Sequence, residues 1–171
     1  KELIIFGGFG NQRLTNRFDA FNLETNTWDL QTFEGDTITP RYFSGLAKIN
    51  KDEVLLFGGM GNKTGDQSIG KTYYYDCYKV NLLTKNIKKL WDNKREDTKM
   101  VSSRDMVLTK DSTAFYTISY PEYIASTHLQ LYKYDIKNGD YEMLGDSIPD
   151  MLTFLGIGLI ALGGFLVGKK K

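Results

Sequence analysis

One stretch of the chain has the residue types and spacing of part of a phosphate-binding loop. Residues 163–169 read Gly-Gly-Phe-Leu-Val-Gly-Lys and satisfy the first part of G-x-x-x-x-G-K, in which backbone amides and a lysine hold phosphate groups. The motif continues with a Ser or Thr that binds magnesium, and Lys170 stands in that place. The sequence therefore does not predict a nucleotide site.

Other chemically reactive residues are few. The single cysteine, Cys77, cannot form an internal disulfide, and its strand-like surroundings favour a small buried hydrophobe over a reactive thiol. The single histidine, His128, has no clustered Cys or His partner, so no metal site and no cofactor are predicted. Asp66, Asp76 and Glu122 lie in or near predicted loops, but their spacing does not single out a catalytic carboxylate pair.

The overall charge of the chain points to no strongly charged partner. Its 22 basic and 21 acidic side chains leave a net charge of +1 over 171 residues. Proteins that bind nucleic acid without a small specific motif usually carry a basic surface. We therefore expect no nucleic-acid partner.

A repeated apolar run indicates how the chain is organised. Residues 3–8 read Leu-Ile-Ile-Phe-Gly-Gly, and residues 55–59 read Leu-Leu-Phe-Gly-Gly. The two runs are roughly 50 residues apart, the period of a propeller blade. After each run come an aromatic-rich segment, a short polar turn and another strand-like segment, so the repeat concerns the fold and does not by itself indicate a function.

Alternating and continuous apolar segments predict strands, and no amphipathic helix is predicted before residue 150. The predicted strands form three units: 3–6, 18–23 and 27–30 in the first; 43–49, 53–57, 73–82 and 86–91 in the second; 106–109, 113–119, 128–136 and 141–144 in the third. The third unit lacks a glycine pair, since Ser-Tyr-Pro follows its core run.

These units resemble the Kelch repeat, in which an apolar strand ends in a glycine pair and a Tyr-containing strand, a turn and a Trp follow. A Pro-Arg pair commonly opens such a blade, and here it is Pro40-Arg41. Ile87 occupies the Trp position of the second unit, which departs from the pattern. The resemblance implies structural roles for Gly7, Gly8, Trp28, Arg41, Gly58, Gly59 and Arg104, the last as the third-unit counterpart of Arg41.

The resemblance implies an all-β fold, a partial Kelch-like β-propeller of four-stranded antiparallel blades. It covers residues 1–148, with blades at about 1–34, 40–92 and 100–145, and Trp28 would fill the space between adjacent blades. Propellers close with four to eight blades. We therefore expect either missing blades upstream or self-association.

The last residues predict a membrane segment. Residues 151–168 carry no charge, and as a single hydrophobic helix they would span about 27 Å, enough to cross a thin bilayer. Lysines at 169–171 would stay cytoplasmic and leave the propeller outside, a single-pass topology that needs an upstream signal sequence. The tail resembles that of Gram-positive surface proteins, but residues 145–150 lack the sorting motif Leu-Pro-any-Thr-Gly.

In Kelch propellers the loops between second and third strands commonly build a recognition face. The corresponding segments here are roughly 9–17, 60–72 and 120–127, and they contain exposed tyrosines and basic residues suited to a protein or carbohydrate partner. The same tyrosines could instead pack within the blades. The candidate binding residues are Arg13, Arg17, Tyr73, Tyr74, Tyr120 and Tyr123.

The function that these features predict is a membrane-anchored, non-catalytic recognition module that binds protein or glycan. Two alternatives remain: a fragment of a propeller enzyme acting on sugars, and the ectodomain of a membrane sensor. Some Kelch-like propellers are copper oxidases whose site needs two His ligands and a Tyr cross-linked to Cys, and this chain has one His. It could not assemble that site alone.

Overall fold

The computed structural model is built from short β-strands. It describes residues 2–95, 99–122 and 129–145, and within them the only helical element is a 3-10 turn at Gln67–Ile69. The strands, in chain order, are β1 Glu2–Phe6, β2 Phe9–Gly10, β3 Arg13–Leu14, β4 Phe18–Asn22, β5 Thr27–Gln31, β6 Glu34–Gly35, β7 Arg41–Tyr42, β8 Gly45–Lys48, β9 Glu53–Phe57, β10 Met60–Gly61, β11 Thr72–Tyr73, β12 Asp76–Asn81, β13 Asn86–Asp92, β14 Met100–Leu108, β15 Ala114–Pro121, β16 Gln130–Asp135 and β17 Tyr141–Met143.

The longer strands form three antiparallel units, which we call blades. Blade 1 is the sheet β1-β4-β5, blade 2 is β8-β9-β12-β13, and blade 3 is β14-β15-β16-β17. A single parallel bridge between Asp105 and Leu46 joins the inner strands of blades 2 and 3 into one curled, half-barrel sheet, which β6 extends beside β13. The all-β fold with a curled sheet confirms the predicted fold class at that level.

The repeat extends to the polar turns between the last two strands of each blade. The side-chain oxygen of Asn22 accepts hydrogen bonds from two following amides at 2.8 and 3.3 Å. Asn81 does the same at 3.0 and 2.8 Å, and Asp135 at 2.8 and 3.0 Å. Short polar side chains favour this turn because they satisfy local amides. The third unit, which lacks the glycine pair, therefore keeps the turn of the other two units.

Apolar side chains fill the spaces between the blades. The cluster between blades 2 and 3 is rich in aromatic rings, which bury large areas of apolar surface. Its buried members are Ala47, Leu55, Phe57, Tyr75, Cys77, Trp91, Met100, Met106, Phe115, Tyr132 and Tyr134. The cluster between blades 1 and 2 consists of Phe18, Ile38, Leu56, Tyr78, Val80 and Ile87, with Ile4, Phe6 and Phe33 packed against it.

Some predicted strands differ from the observed ones where tertiary contacts interrupt the chain. The segment predicted as one strand at 43–49 forms a strand only at Gly45–Lys48, because Phe43 has a φ of 61° and lies outside it. The segment predicted at 73–82 is interrupted at Tyr74, whose amide donates to the carbonyl of Gly59 at 2.9 Å. In the third unit β14 begins at Met100 rather than at the predicted residue 106. Polar residues 102–105 hide this strand from a hydropathy pattern.

The predicted membrane helix at 151–168 and the lysines at 169–171 lie outside the described residues. Among the residues that are described, no helix has the length and hydropathy needed to cross a bilayer.

Candidate functional site

The candidate site lies at one end of the blades, where β1, β9 and β15 finish. We call this end the loop face; its segments are 7–17, 39–44, 58–75, 99–104 and 120–122. The opposite end, the turn face, carries the turns at 24–26, 50–52, 83–85, 110–112 and 137–140.

The two glycine pairs fix how the chain enters the loop face. Gly7 and Gly8 have φ values of 66° and 109°, and Gly58 and Gly59 have values of 64° and 94°, a region that glycine enters without a steric penalty. A Cβ on Gly59 would lie 2.7 Å from the carbonyl oxygen of Tyr42. Positive φ and close backbone approach together explain why this position is glycine.

Each glycine pair also closes its loop with the same two hydrogen bonds. In the first repeat the Gly7 amide donates to Arg17 O at 2.9 Å, and Thr15 N donates to Gly8 O at 3.0 Å. In the second repeat the Gly58 amide donates to the carbonyl of Asp76 at 3.0 Å. The Tyr74–Gly59 bond described above completes that pair. The repeat therefore determines the base of both loops, while their tips differ.

A buried ion pair holds the second loop to the blades. Arg41 is fully buried, and its guanidinium donates to both carboxylate oxygens of Asp76 at 2.5 and 3.0 Å. It also donates to the carbonyls of Gly58 and Thr39, each at 3.0 Å. The ring of Tyr74 lies 4.0 Å from the guanidinium carbon. Because every partner is satisfied, this burial of charge is tolerated.

The same ion pair affects a neighbouring phenol. The hydroxyl of Tyr78 donates to Asp76 at 3.0 Å, and burial together with the negative charge of Asp76 raises the pKa of Tyr78 to about 12. Tyr78 therefore stays neutral and serves the packing of the loop base.

Three aromatic side chains and one arginine form a row on the loop face that we call the ridge: the exposed Phe9 and Arg104 and the half-buried Tyr42 and Phe43. The ring centroids of Phe9 and Tyr42 are 5.3 Å apart, and those of Tyr42 and Phe43 are 4.8 Å apart. The guanidinium carbon of Arg104 lies 4.6 Å from the centre of the Phe43 ring. Phe9 is 62% exposed. The ridge thus brings an exposed ring, two half-buried rings and an exposed cation to one place.

Two features of the ridge favour binding over packing. Phe43 keeps a left-handed backbone, which costs a non-glycine residue roughly 1–3 kcal/mol and is common at functional sites. Arg104 is exposed and forms no ion pair with any residue that the structure describes. A cation over an aromatic ring with no acidic partner is available to an anionic group.

A second polar group lies nearby and is already satisfied. The hydroxyl of Tyr73 donates to one oxygen of Glu122, and Lys71 Nζ lies 2.6 Å from the other. Burial and the charge of Glu122 raise the pKa of Tyr120, and the positive charges of Arg104 and Lys71 oppose that rise. These contacts tie the loop of blade 2 to the end of β15.

The sequence-predicted binding residues divide into three groups. Tyr73 and Tyr120 lie beside Glu122 on the loop face, as described above, and Tyr74 covers the buried Arg41. Arg17 pairs with Asp19 at 2.6 Å, and Arg13 lies beside Asp66 in an isolated bridge, so neither extends the ridge. Tyr123 lies outside the described residues.

Several residues of the face were not predicted. Phe9, Tyr42, Phe43, Lys71 and Glu122 come from four separate segments that only the fold brings together. Residues 42 and 43 directly follow Pro40-Arg41, and this pair could have pointed to them as residues near the start of a blade. Arg104 also differs from the prediction, because it is exposed over Phe43 whereas Arg41 is buried on Asp76.

The described residues include one thiol and scattered carboxylates. No group of three or more His, Cys, Asp and Glu side chains suited to a metal occurs among them. Cys77 is fully buried, and burial together with the charge of Asp76 raises the pKa of its thiol. A neutral buried thiol is inert.

Comparison with known families agrees with the repeat. The family profile of the Kelch motif matches residues 1–31, which contain all of blade 1. Together with the curled sheet, this match fits a Kelch-like propeller and indicates a repeat module of the protein-binding type. No match to the chain was found among curated proteins.

Proposed function

We propose that the chain is a recognition module that binds a protein partner through the ridge of the loop face. The observation that carries this proposal is Arg104, exposed over the Phe43 ring without an acidic partner in the described structure. Interfaces are enriched in aromatic and Arg side chains, which also supply most of their binding energy. The Kelch motif of blade 1 supports the same class of function.

The ridge favours a partner segment that combines a carboxylate with an apolar side chain. A carboxylate would pair with the Arg104 guanidinium, and an apolar group would cover the rings of Phe9 and Tyr42. The Lys71–Glu122 pair beside it, joined at 2.6 Å, is neutral as a unit and adds polar contacts at the rim.

Peptide selection against the full chain in detergent tests this proposal. We expect a displayed peptide library to yield binders that contain Asp or Glu next to an apolar residue. Their affinity should fall about tenfold or more in Arg104→Glu and in Phe9→Ser, because both changes remove central contacts. Leu83→Ser is the matched control, since Leu83 is 72% exposed on the turn face.

The outcome that contradicts a protein-binding ridge is equal affinity in Arg104→Glu and the control. A glycan array run beside the selection distinguishes the carbohydrate alternative. Oligosaccharide binding that is lost in Phe9→Ser, with no peptide selected, would favour a sugar ligand for the same surface. Turnover of a bound sugar would favour the enzyme alternative.

Anchoring in a membrane is a separate part of the proposal. Residues 151–168 are uncharged and apolar, and three lysines follow them. A segment of this length suits a single crossing, and the lysines favour a cytoplasmic end. The loop face would then be displayed outside the cell.

A further inference from the structure

Each space between blades follows one rule of register. In blade 2 the cross-strand row Val54, Val80 and Ile87 faces blade 1. In blade 3 the matching row is Phe115, Tyr134 and Tyr141. Of this row, Phe115 and Tyr134 belong to the cluster between blades 2 and 3. The two rows correspond because each begins at the second residue of its strand, β9 in blade 2 and β15 in blade 3.

The packing of these rows is close. The Tyr134 ring lies 4.8 Å from that of Phe57 and 5.9 Å from that of Trp91, and Phe115 lies 5.1 Å from Phe57. Val80 is fully buried against blade 1. The row is therefore the surface by which a blade contacts the blade before it.

Blade 1 has the same row, but here no described blade covers it and it is exposed to solvent. The row consists of Leu3, Phe21 and Trp28, in matching register. Leu3 is 54% and Trp28 is 56% exposed, and the rings of Phe21 and Trp28 are 5.0 Å apart. Leu30 beside them is also more than half exposed. This row, with Leu30, is called the leading face.

Blade 3 is open on its other side. In blade 2 the side that faces blade 3 includes Ala47 and Leu55, a cross-strand pair. The matching pair in blade 3 is Val107 and Tyr116, and Val107 is 63% exposed. Leu131 on the same side is 40% exposed. This side is called the trailing face.

The leading and trailing faces are the two halves of one kind of contact. Inside the chain, the leading rows of blades 2 and 3 each pack on the preceding blade, and between blades 2 and 3 the leading row packs on the side that carries the trailing pair. Two ion pairs lie on the open faces, since Arg17 contacts Asp19 at 2.6 Å and Lys133 contacts Glu142 at 3.4 Å. Neither pair brings an uncompensated charge into a contact.

We propose that a second copy of the chain covers both open faces. The leading face of each copy packs on the trailing face of the other, and two such contacts close a ring with two-fold symmetry. Three described blades from each copy give six, within the four to eight with which propellers close. A second copy presents both required surfaces, a leading face and a trailing face. An unrelated partner that imitated one of them would cover only one open face of the chain.

Sedimentation of the full chain in detergent tests this pairing. We expect the wild type to dimerise, and Trp28→Glu or Val107→Glu to weaken dimerisation at least tenfold, since each places a charge in both contacts of the ring. Leu83→Glu on the turn face should dimerise like the wild type. Leu30→Lys and Leu131→Lys are second substitutions on the two faces, for use if circular dichroism shows that a first variant is unfolded.

Mixing the two face variants gives the decisive result. A Trp28→Glu copy and a Val107→Glu copy retain one intact leading–trailing contact between them, so the mixture should form heterodimers at concentrations where each variant alone stays monomeric. A wild type that stays monomeric would overturn the proposal. So would a Val107→Glu variant that dimerises normally, or a mixture that remains monomeric.

Discussion

The guanidinium of Arg41 is the residue-scale feature on which the loop face depends most. It is buried without exposure and joins strand β7, the glycine pair at 58–59 and strand β12. The sequence predicted a structural role for Arg41 from the Pro-Arg pair. Its partner Asp76 was not predicted, because 35 residues separate the two along the chain.

Replacing that partner should be costly. In Asp76→Asn the buried guanidinium loses its counter-charge, and breaking a buried pair in this way costs about 3–5 kcal/mol. The free energy of unfolding in urea measures the loss. Asp19→Asn is the control, because the pair that Asp19 forms with Arg17 is solvent-exposed and contributes about 1 kcal/mol or less. Similar losses in the two variants would contradict the role given to the buried pair.

The ridge was the least predictable part of the site at this scale. The sequence predicted Tyr73 and Tyr120 as binding residues because they lie in or beside the loops between second and third strands, and both lie on the loop face outside the ridge. The sequence predicted a strand that includes Phe43, because no neighbouring residue indicates the left-handed backbone that Phe43 adopts. Its contact with Arg104 depends on the meeting of the inner strands of two blades, which no local pattern encodes.

At the scale of elements, hairpins were predicted well and inter-blade segments were not. Apolar runs and polar turns are local signals, so β1, β9 and β13 were found within one residue of their observed bounds. Short strands such as β2, β7 and β10 were missed because they pair through the loop face. Their conformation follows from tertiary contacts rather than from propensity.

The glycine pairs allow a matched test of loop geometry. Gly8→Ala and Gly59→Ala both place a side chain at positive φ, which costs roughly 1–3 kcal/mol. Only at Gly59 would the new Cβ also meet neighbours, at 2.6 Å from Ser44 Oγ; at Gly8 nothing lies within 4 Å. We therefore expect Gly59→Ala to unfold at a lower urea concentration than Gly8→Ala. Equal midpoints would mean that crowding at the second loop base is unimportant.

For the whole molecule, the repeat predicted an all-β, propeller-like fold but not which side chains form the exposed blade faces. Two units with glycine pairs and a third unit without one were recognisable from the order of the predicted strands and turns. Trp28 was expected between blades, and in the described structure it is 56% exposed beside Phe21. Its position matches Ile87, which is buried against blade 1, so the same site is covered in one blade and open in another.

The apolar tail gives a prediction that also belongs to the whole molecule. Deleting residues 151–171 should convert a detergent-dependent protein into one that stays in the supernatant without detergent, because an uncharged segment of this length favours the bilayer. Vesicle flotation measures the difference. Full-length protein that does not float with vesicles would contradict a membrane anchor.

Photo-crosslinking of a selected peptide tests the central claim, that the loop face is the recognition surface. A peptide carrying a benzophenone side chain is irradiated on the full chain, and the modified residues are identified by mass spectrometry. We predict adducts at the loop face, within residues 7–17, 39–44, 58–75, 99–104 and 120–122. Adducts concentrated on the turn face, at 24–26, 50–52, 83–85, 110–112 and 137–140, would contradict it.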